Sequence, residues 1–361
     1  MIYNFFPGPG VLFEDVMKTV QNEFRDWNNT GISIIECSHR TDKFKELLND
    51  TKNNLRELVN IPNDYEILFV QGGATQVFSS LPLNLSSEND TIDYVVNGYW
   101  SQFAAKEVEK YSNVHISAHD KTYSSCPDYR TWKLTPNAAY IHYCSNETIH
   151  GNQYQEIPDI PNKNLICDMS SDFLSKPIDV SKFGMVYAGA HKNIGPAGMT
   201  IIIIKKSLLS SNQARSYTPY MLNYKLLMDS NSMLNTPPIF SIYFANLVYK
   251  YLIQMGGLTK MFELNKKKAS LLYDVIDNSE GFYSSNVAKE FRSMMNVPFS
   301  LTTKELEEQF IKECEQNNLI GLRGHDIVGH CRASIYNGMT YEGVEKLCTC
   351  MKEFQKKSWF L

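Results

Sequence analysis

The sequence holds no long apolar run. A stretch such as Met199–Ile204, apolar but for Thr200, is far shorter than the roughly 20 residues a helix needs to span a bilayer, so no membrane segment is expected. Basic blocks are missing too. Against 39 acidic residues stand 35 basic ones, a net charge of −4, which leaves no electrostatic footprint for nucleic acid. The opening Met1-Ile2-Tyr3-Asn4-Phe5-Phe6-Pro7 lacks the basic region and apolar core of a signal peptide. None of the eight cysteines (Cys37, Cys126, Cys144, Cys167, Cys314, Cys331, Cys348 and Cys350) belongs to a C-x-x-C pair. They read as reduced, mostly buried thiols, so neither a disulfide frame nor a metal site is expected. A cytosolic, and so cytoplasmic, protein fits that usage. There is no internal repeat and no low-complexity segment.

What is present is a chain of 361 residues, 43% of them hydrophobic, enough for one large two-lobed enzyme or two ordinary domains. The arm Phe6-Pro7-Gly8-Pro9-Gly10 cannot be helix interior. Helical spacing covers Phe13–Trp27 and Thr41–Val59. Tyr65–Val70 is a predicted strand, followed by Gln71-Gly72-Gly73-Ala74-Thr75 and a helix through Leu81. Strands are expected at Thr91–Asn97, Val114–Ala118, Asn137–Cys144, Asn164–Asp168, Phe183–Ala188 and Met199–Lys205, with a helix over Tyr99–Tyr111. This alternation predicts an α/β fold, with a mostly parallel central sheet flanked by helices. After about residue 237 the character changes. Long helices are expected at Ile239–Met255 and Leu258–Ile276, broken at Gly256-Gly257. Strand, helix, strand, helix then follow at Met294–Ser300, Thr303–Asn317, Arg332–Tyr336 and Tyr341–Phe354. The reading is a large domain over 16–257 and a smaller α+β C-terminal domain over 258–361, joined by the N-terminal arm 1–15.

Five features fall just after predicted strands. Lys192 sits in Ala190-His191-Lys192-Asn193-Ile194-Gly195-Pro196-Ala197-Gly198, between two strands. A positioned, partly desolvated amine there can form a Schiff base with a carbonyl cofactor, whereas an isolated loop lysine is ordinarily solvated. Gly72-Gly73-Ala74-Thr75 opens a helix, where backbone N–H groups attract phosphate, although a plain tight turn has the same look. Asp168 ends a strand and could pair with a cationic ring nitrogen or merely cap a loop. Trp100 could stack on a planar group or pack in the core. Thr148 is a loop hydroxyl. Together these are the parts that hold pyridoxal phosphate, and the set is more specific than any member.

These segments carry a family resemblance that runs nearly end to end. It rests on Asn4-Phe5 with Pro7-Gly8-Pro9, Ser38-His39-Arg40, Phe69-Val70-Gln71-Gly72-Gly73-Ala74 and Gly98-Tyr99-Trp100-Ser101. It continues in Asn146-Glu147-Thr148-Ile149-His150-Gly151, Asp168-Met169-Ser170-Ser171, the 190–200 loop, Asn235-Thr236-Pro237-Pro238 and Arg332-Ala333-Ser334-Ile335-Tyr336-Asn337. The chain resembles the phosphoserine aminotransferase family, a class-V, fold-type I group of pyridoxal 5'-phosphate enzymes.

The resemblance implies transamination between glutamate and 3-phosphohydroxypyruvate in serine biosynthesis. It implies that Lys192 is the Schiff-base lysine and Asp168 the partner of the pyridine nitrogen. By the same resemblance Trp100 stacks on the ring, Thr148 bonds its 3-oxygen, and Ala74 and Thr75 hold the phosphate. Asn235 and Thr236 would reach that phosphate from a partner subunit, so a homodimer with shared active sites is implied. Arg332 would bind the substrate carboxylate, with His39, Arg40 and His325 around the substrate phosphate.

Two positions depart from the family pattern. His191 stands where the family usually has Gln against the cofactor phosphate. Gly324-His325-Asp326 stands where Gly-His-Arg is usual, with His330 at a position where glycine is common. An acid repels a phosphate, so Asp326 is expected to turn to solvent or to pair with a base such as His330. Two alternatives stay open: a class-V aminotransferase for an unphosphorylated oxo acid, and a non-catalytic dimer of this fold acting as a binding module.

Overall fold

The run Ile201–Ile204 is apolar throughout because its strand is buried on both faces. Ile201 and Ile203 join one core cluster and Ile202 and Ile204 another, as alternation across a pleat requires. The computed structural model describes residues 1–211 and 214–358. Positions 212–213, and 359–361 at the end of the expected second domain, lie outside the described residues.

A two-residue strand, Tyr3–Asn4 (β1), leads to helices Glu14–Glu23 (α1) and Asp42–Val59 (α2). The central sheet is then laid down by Tyr65–Gln71 (β2), Thr91–Val96 (β3), Asn113–His119 (β4), Ile141–Cys144 (β5), Leu165–Asp168 (β6), Met185–Gly189 (β7) and Met199–Lys205 (β8). Ala74–Leu85 (α3) follows β2 and Tyr99–Val108 (α4) follows β3. Two short helices, Lys206–Ser211 (α5) and Tyr224–Asp229 (α6), precede the long pair Ile239–Gln254 (α7) and Gly257–Asp277 (α8). Tyr283–Ser284 (β9), Asn296–Leu301 (β10), Lys304–Gln316 (α9), Leu319–Ile320 (β11), Cys331–Ser334 (β12) and Tyr341–Ser358 (α10) follow.

The sheet order is β2-β8-β7-β6-β5-β3-β4. Only β8 is antiparallel to its neighbours β2 and β7; the other pairings are parallel. On one face α2 and α7 cover Ile67, Val186 and Ile203. On the other, α3 and α4 cover Leu68, Tyr94, Ile166 and Tyr187. The α/β class and the mostly parallel sheet are those expected from the alternation of segments.

A further core gathers Phe5, Leu272, Val297, Phe310, Leu347 and Met351 around the antiparallel sheet β12-β10-β9. Helix α8 serves both cores, with Leu258 and Met261 in the first and Leu272 and Ile276 in the second. β1 pairs in parallel with β11, and Phe5 N–H donates to Ile320 O at 2.8 Å. The buried ammonium of Lys268 on α8 donates to the carbonyls of Ile335, Tyr336 and Met339 at 3.2, 2.8 and 2.9 Å. It thereby fixes the turn after β12.

The differences from the sequence reading are local. β5 begins at Ile141 rather than Asn137, because the preceding residues close a turn in which Ala138 N–H donates to Thr135 O. α3 runs past Leu81 to Leu85 despite Pro82, since Leu83 and Leu85 are buried and Ser86 N–H closes the last turn on Pro82 O. Helices α5 and α6 were not anticipated; each has only 6 residues, too few for periodicity to register.

Phe5 is fully buried and Phe6 is 48% exposed. Phe5→Ala should therefore lower the urea unfolding midpoint, costing about 3–5 kcal/mol. Phe6→Ala should stay within about 0.5 kcal/mol.

Candidate active site

Because β8 alone runs backwards, the loop from β7 to β8 opens on the same edge as the carboxyl ends of β2, β3, β5 and β6. That edge is where an open α/β sheet binds ligands. The loop is pinned at its base: Ala190 N–H donates to Met199 O at 2.9 Å and Gly72 N–H to Gly198 O at 3.0 Å. Lys192, Asp168, Trp100, Thr148, Ala74, Thr75 and His191 all line one cavity here, which encloses about 480 Å³.

Lys192 is 6% exposed, and its Nζ donates to Thr148 Oγ1 at 2.7 Å. Burial pulls its pKa below the ordinary lysine value, and the negative charge of Asp168 pulls the other way. Asp168 is likewise buried. Burial raises its pKa, while Ser170, whose N–H donates to Oδ1 at 2.8 Å, and the charge of Lys192 lower it. Burial and the Lys192 charge drop the His191 imidazole to about 4, so it is neutral at physiological pH.

The β2–α3 turn has the form of an anion cradle. Gly72 takes φ +106°, a conformation suited to glycine. A Cβ built on Gly73 would meet nothing within 4 Å, so the space before α3 is open. No side chain caps α3, and while Gln76 N–H donates to Gly73 O, the N–H groups of Ala74 and Thr75 are left for a ligand in that space.

Sequence reasoning gave no role to Glu147. Its fully buried carboxylate accepts from Trp100 N–H at 3.0 Å, Ser101 N–H at 2.7 Å and Ser101 Oγ at 2.7 Å. It sits on the N-terminus of α4, where the helix dipole favours negative charge. A Cβ on Gly98 would overlap that carboxyl group. The signal was in the sequence, a glycine before Tyr99-Trp100-Ser101 and an acid beside Thr148, but only the fold brings the two segments together. Trp100 Nε1 is buried without a hydrogen-bond partner in the chain.

His325 and Arg332 line a second cavity of about 1050 Å³, together with His150 and Tyr123. Arg332 is 4% exposed, its Nε has no partner, and its charge reaches Lys192, whose pKa it lowers. Buried cations of this kind favour an anionic ligand.

The class-V aminotransferase family profile matches residues 2–347. Phosphoserine aminotransferase of Chromobacterium violaceum is 47% identical over 362 residues, covering 99% of each chain. The chain belongs to the class-V aminotransferase family.

Solved structures in the family agree with this fold along its length. Phosphoserine aminotransferase from Bacillus circulans subsp. alkalophilus superposes with a TM-score of 0.96 at 42% identity, covering 99% of each chain. The pyridoxal-phosphate-bound phosphoserine aminotransferase from Trichomonas vaginalis gives 0.93 at 38% identity, covering 98% of this chain and 100% of that one.

Four expected site residues are not brought to either cavity within the single chain. His39 is half-buried and Arg40 exposed, just before α2. Asn235 and Thr236 are exposed, and the Gln71 side chain donates to Asn235 Oδ1 at 3.3 Å and to the Thr236 carbonyl. That contact places them beside the phosphate-type turn but outside its cavity. Asp326 is exposed, as expected; His330 pairs instead with Glu307, Nδ1 to Oε1 2.9 Å.

Glu147→Ala would leave the first turn of α4 without its acceptor. It should destabilise the protein by about 2–4 kcal/mol, measured by thermal and urea unfolding. Glu147→Gln, which keeps an acceptor oxygen, should lose less.

Proposed function

We propose that the protein is a pyridoxal-phosphate-dependent phosphoserine aminotransferase, moving the amino group between glutamate and 3-phosphohydroxypyruvate in serine biosynthesis. The observation that carries the reading is a buried lysine and a buried aspartate lining one cavity together with an uncapped helix N-terminus. Relatives from Chromobacterium violaceum and Blochmanniella floridana, each 47% identical, bear the same activity in their names.

The cavity fits the cofactor. The open space before Gly73 suits its phosphate, with Ala74 and Thr75 supplying N–H donors and His191 at the side. Asp168 suits a cationic ring nitrogen, the unpartnered Trp100 indole suits a planar group, and Thr148 suits the ring's 3-oxygen. When bound, pyridoxal phosphate supplies the aldehyde carbon that takes up the amine and the electron sink that acidifies the α-proton. The chain does the rest. Lys192, its pKa lowered by burial, is poised to take a proton from the substrate's α-carbon and hold it at Nζ. Asp168 keeps its negative charge against the ring nitrogen, aided by Ser170. Arg332 orients the substrate carboxylate, its fork matching two oxygens. His325 faces the substrate phosphate from the second cavity.

We further propose a homodimer with shared sites. Arg40, Asn235 and Thr236 are exposed on the single chain and His39 is half-buried, which suits residues completing the site of a partner subunit. The two-domain division at 257/258, with the arm 1–15 joining them, is proposed on the two cores that α8 connects. The eight free, buried cysteines support a cytoplasmic location. Among the described residues no helix is long and apolar enough to cross a membrane.

Lys192→Ala should keep the fold, lose the visible absorbance of the bound cofactor, and slow transamination by about a hundredfold or more. Normal turnover would remove the assignment. Arg40→Ala should raise the KM for phosphoserine about tenfold or more with little change for glutamate. Equal effects on both substrates, or wild-type preference for serine or alanine, would favour an unphosphorylated oxo acid. Sedimentation should give a dimer; an active monomer would refute shared sites.

A further inference from the structure

All eight cysteines are free and buried, and two of them meet. Cys314 in the last turn of α9 and Cys350 in the middle of α10 have their sulfurs 3.5 Å apart. They lie 36 positions apart in the chain. Among the described residues no other two cysteines have sulfurs in contact. Cys348, on the same helix, turns elsewhere and donates to Leu271 O at 3.5 Å.

The fold sets the pair face to face. Phe310 on α9 meets Phe354 on α10 with ring centroids 5.3 Å apart, and one turn along each helix, in opposite directions, Cys314 meets Cys350. Toward solvent, Lys357 Nζ pairs with Glu313 at 2.7 Å. Ring packing and an ion pair thus hold the two helices together on either side of the sulfurs.

We propose that Cys314 and Cys350 are an oxidation site, where a peroxide turns the two thiols into one disulfide that latches α9 to α10. Cys350 reacts first, being 5% exposed while Cys314 is fully buried. Its thiolate takes one oxygen of hydrogen peroxide; the O–O bond breaks, hydroxide leaves, and Cys350 becomes a sulfenic acid. The Cys314 sulfur then attacks that of Cys350. The S–S bond forms, the S–O bond breaks, and the departing hydroxide takes the Cys314 proton as water. Two thiols and one peroxide give one disulfide and two waters. The hydrogen bond from Cys314 helps the first step by holding the Cys350 pKa below the ordinary thiol value. Burial and the charges of Glu313 and Glu353 oppose this, and Lys357 assists it. The sulfurs must close from 3.5 Å to about 2.05 Å, a movement of about 1.5 Å shared by two side chains that already face each other.

The latch bears on the second cavity. Helix α9 also carries Glu307, whose Oε1 lies 2.9 Å from His330 Nδ1, and Glu308, whose Oε2 accepts from Arg323 Nη2 at 2.7 Å. Arg323 and His330 bracket His325. Helix α9 is therefore the mount of that loop, and fixing it to α10 stiffens the mount.

The test treats the full-length, cofactor-loaded protein with hydrogen peroxide while it is folded. Its thiol count should fall by two, from the eight of the sequence, and its intact mass by two hydrogens. Peptide mapping should show one linked species joining Cys314 to Cys350, released by dithiothreitol. The Tm should rise by roughly a few degrees, and backbone hydrogen exchange in α9 and residues 323–330 should slow severalfold. Cys314→Ala should leave Cys350 as a sulfenic acid that dimedone traps, and Cys350→Ala should give neither the link nor a trapped acid on Cys314. A folded protein that keeps all eight thiols, or a link between other cysteines, overturns the site. A Cys314–Cys350 link that leaves exchange in 323–330 unslowed overturns the latch. If an alanine variant does not fold, the wild-type thiol count and peptide map decide alone.

Discussion

The backward run of β8 is the constraint on which the site depends. Strands β2, β3, β5, β6 and β7 all point one way, so their carboxyl ends form a single edge. A loop leaving β7 for a parallel neighbour would have had to cross the sheet. Because β8 is antiparallel, the loop turns back at that same edge and carries Lys192 into it. Its strand pays nothing in burial, since Ile201–Ile204 feeds both cores. The base of the loop is closed by Ala190 with Met199 and by Gly72 with Gly198. These contacts tie the lysine to the phosphate-type turn.

The loop is also tied to the C-terminal core. Asn193, next to Lys192, accepts from Asn337 N–H at 3.0 Å and donates to Phe173 O at 3.0 Å. Asn337 belongs to the turn that Lys268 holds by three carbonyls, and its side chain accepts from Asn265 at 2.8 Å. The arm closes the other side: Gly10 N–H donates to His191 O at 2.8 Å, and a Cβ on Gly8 would press against the His191 ring. The lysine thus stands where three parts of the chain meet. Each bond is modest alone, but joined in one buried polar network they hold one geometry.

Electrostatics in the cavity follow from burial more than from charge pairing. Lys192 and Asp168 are each pushed toward neutrality by desolvation, and each partly restores the other. Glu147 is kept in place by three donors at the start of α4 rather than by a cation. A ligand that brings both a cationic ring nitrogen and an anionic phosphate would satisfy Asp168 and the uncapped α3 together. That complementarity is why the cavity suits pyridoxal phosphate.

The sequence by itself determined the strand and helix alternation, the lysine loop, the glycine turn and the acid at the end of β6. These are local: each follows from period, turn chemistry or a residue at a strand end. It was also enough, through a resemblance carried by long contiguous motifs, to place the family. Tertiary structure decided the rest. That Lys192 touches Thr148, 44 residues away in the chain, depends on β5 and β7 flanking β6. That Glu147 caps α4 depends on β3 lying beside β5. That Asp326 faces solvent while His330 takes Glu307 depends on a loop whose residues carry no periodic signal. Period and propensity act over a few residues, whereas these contacts are set by strand order, which no local pattern encodes.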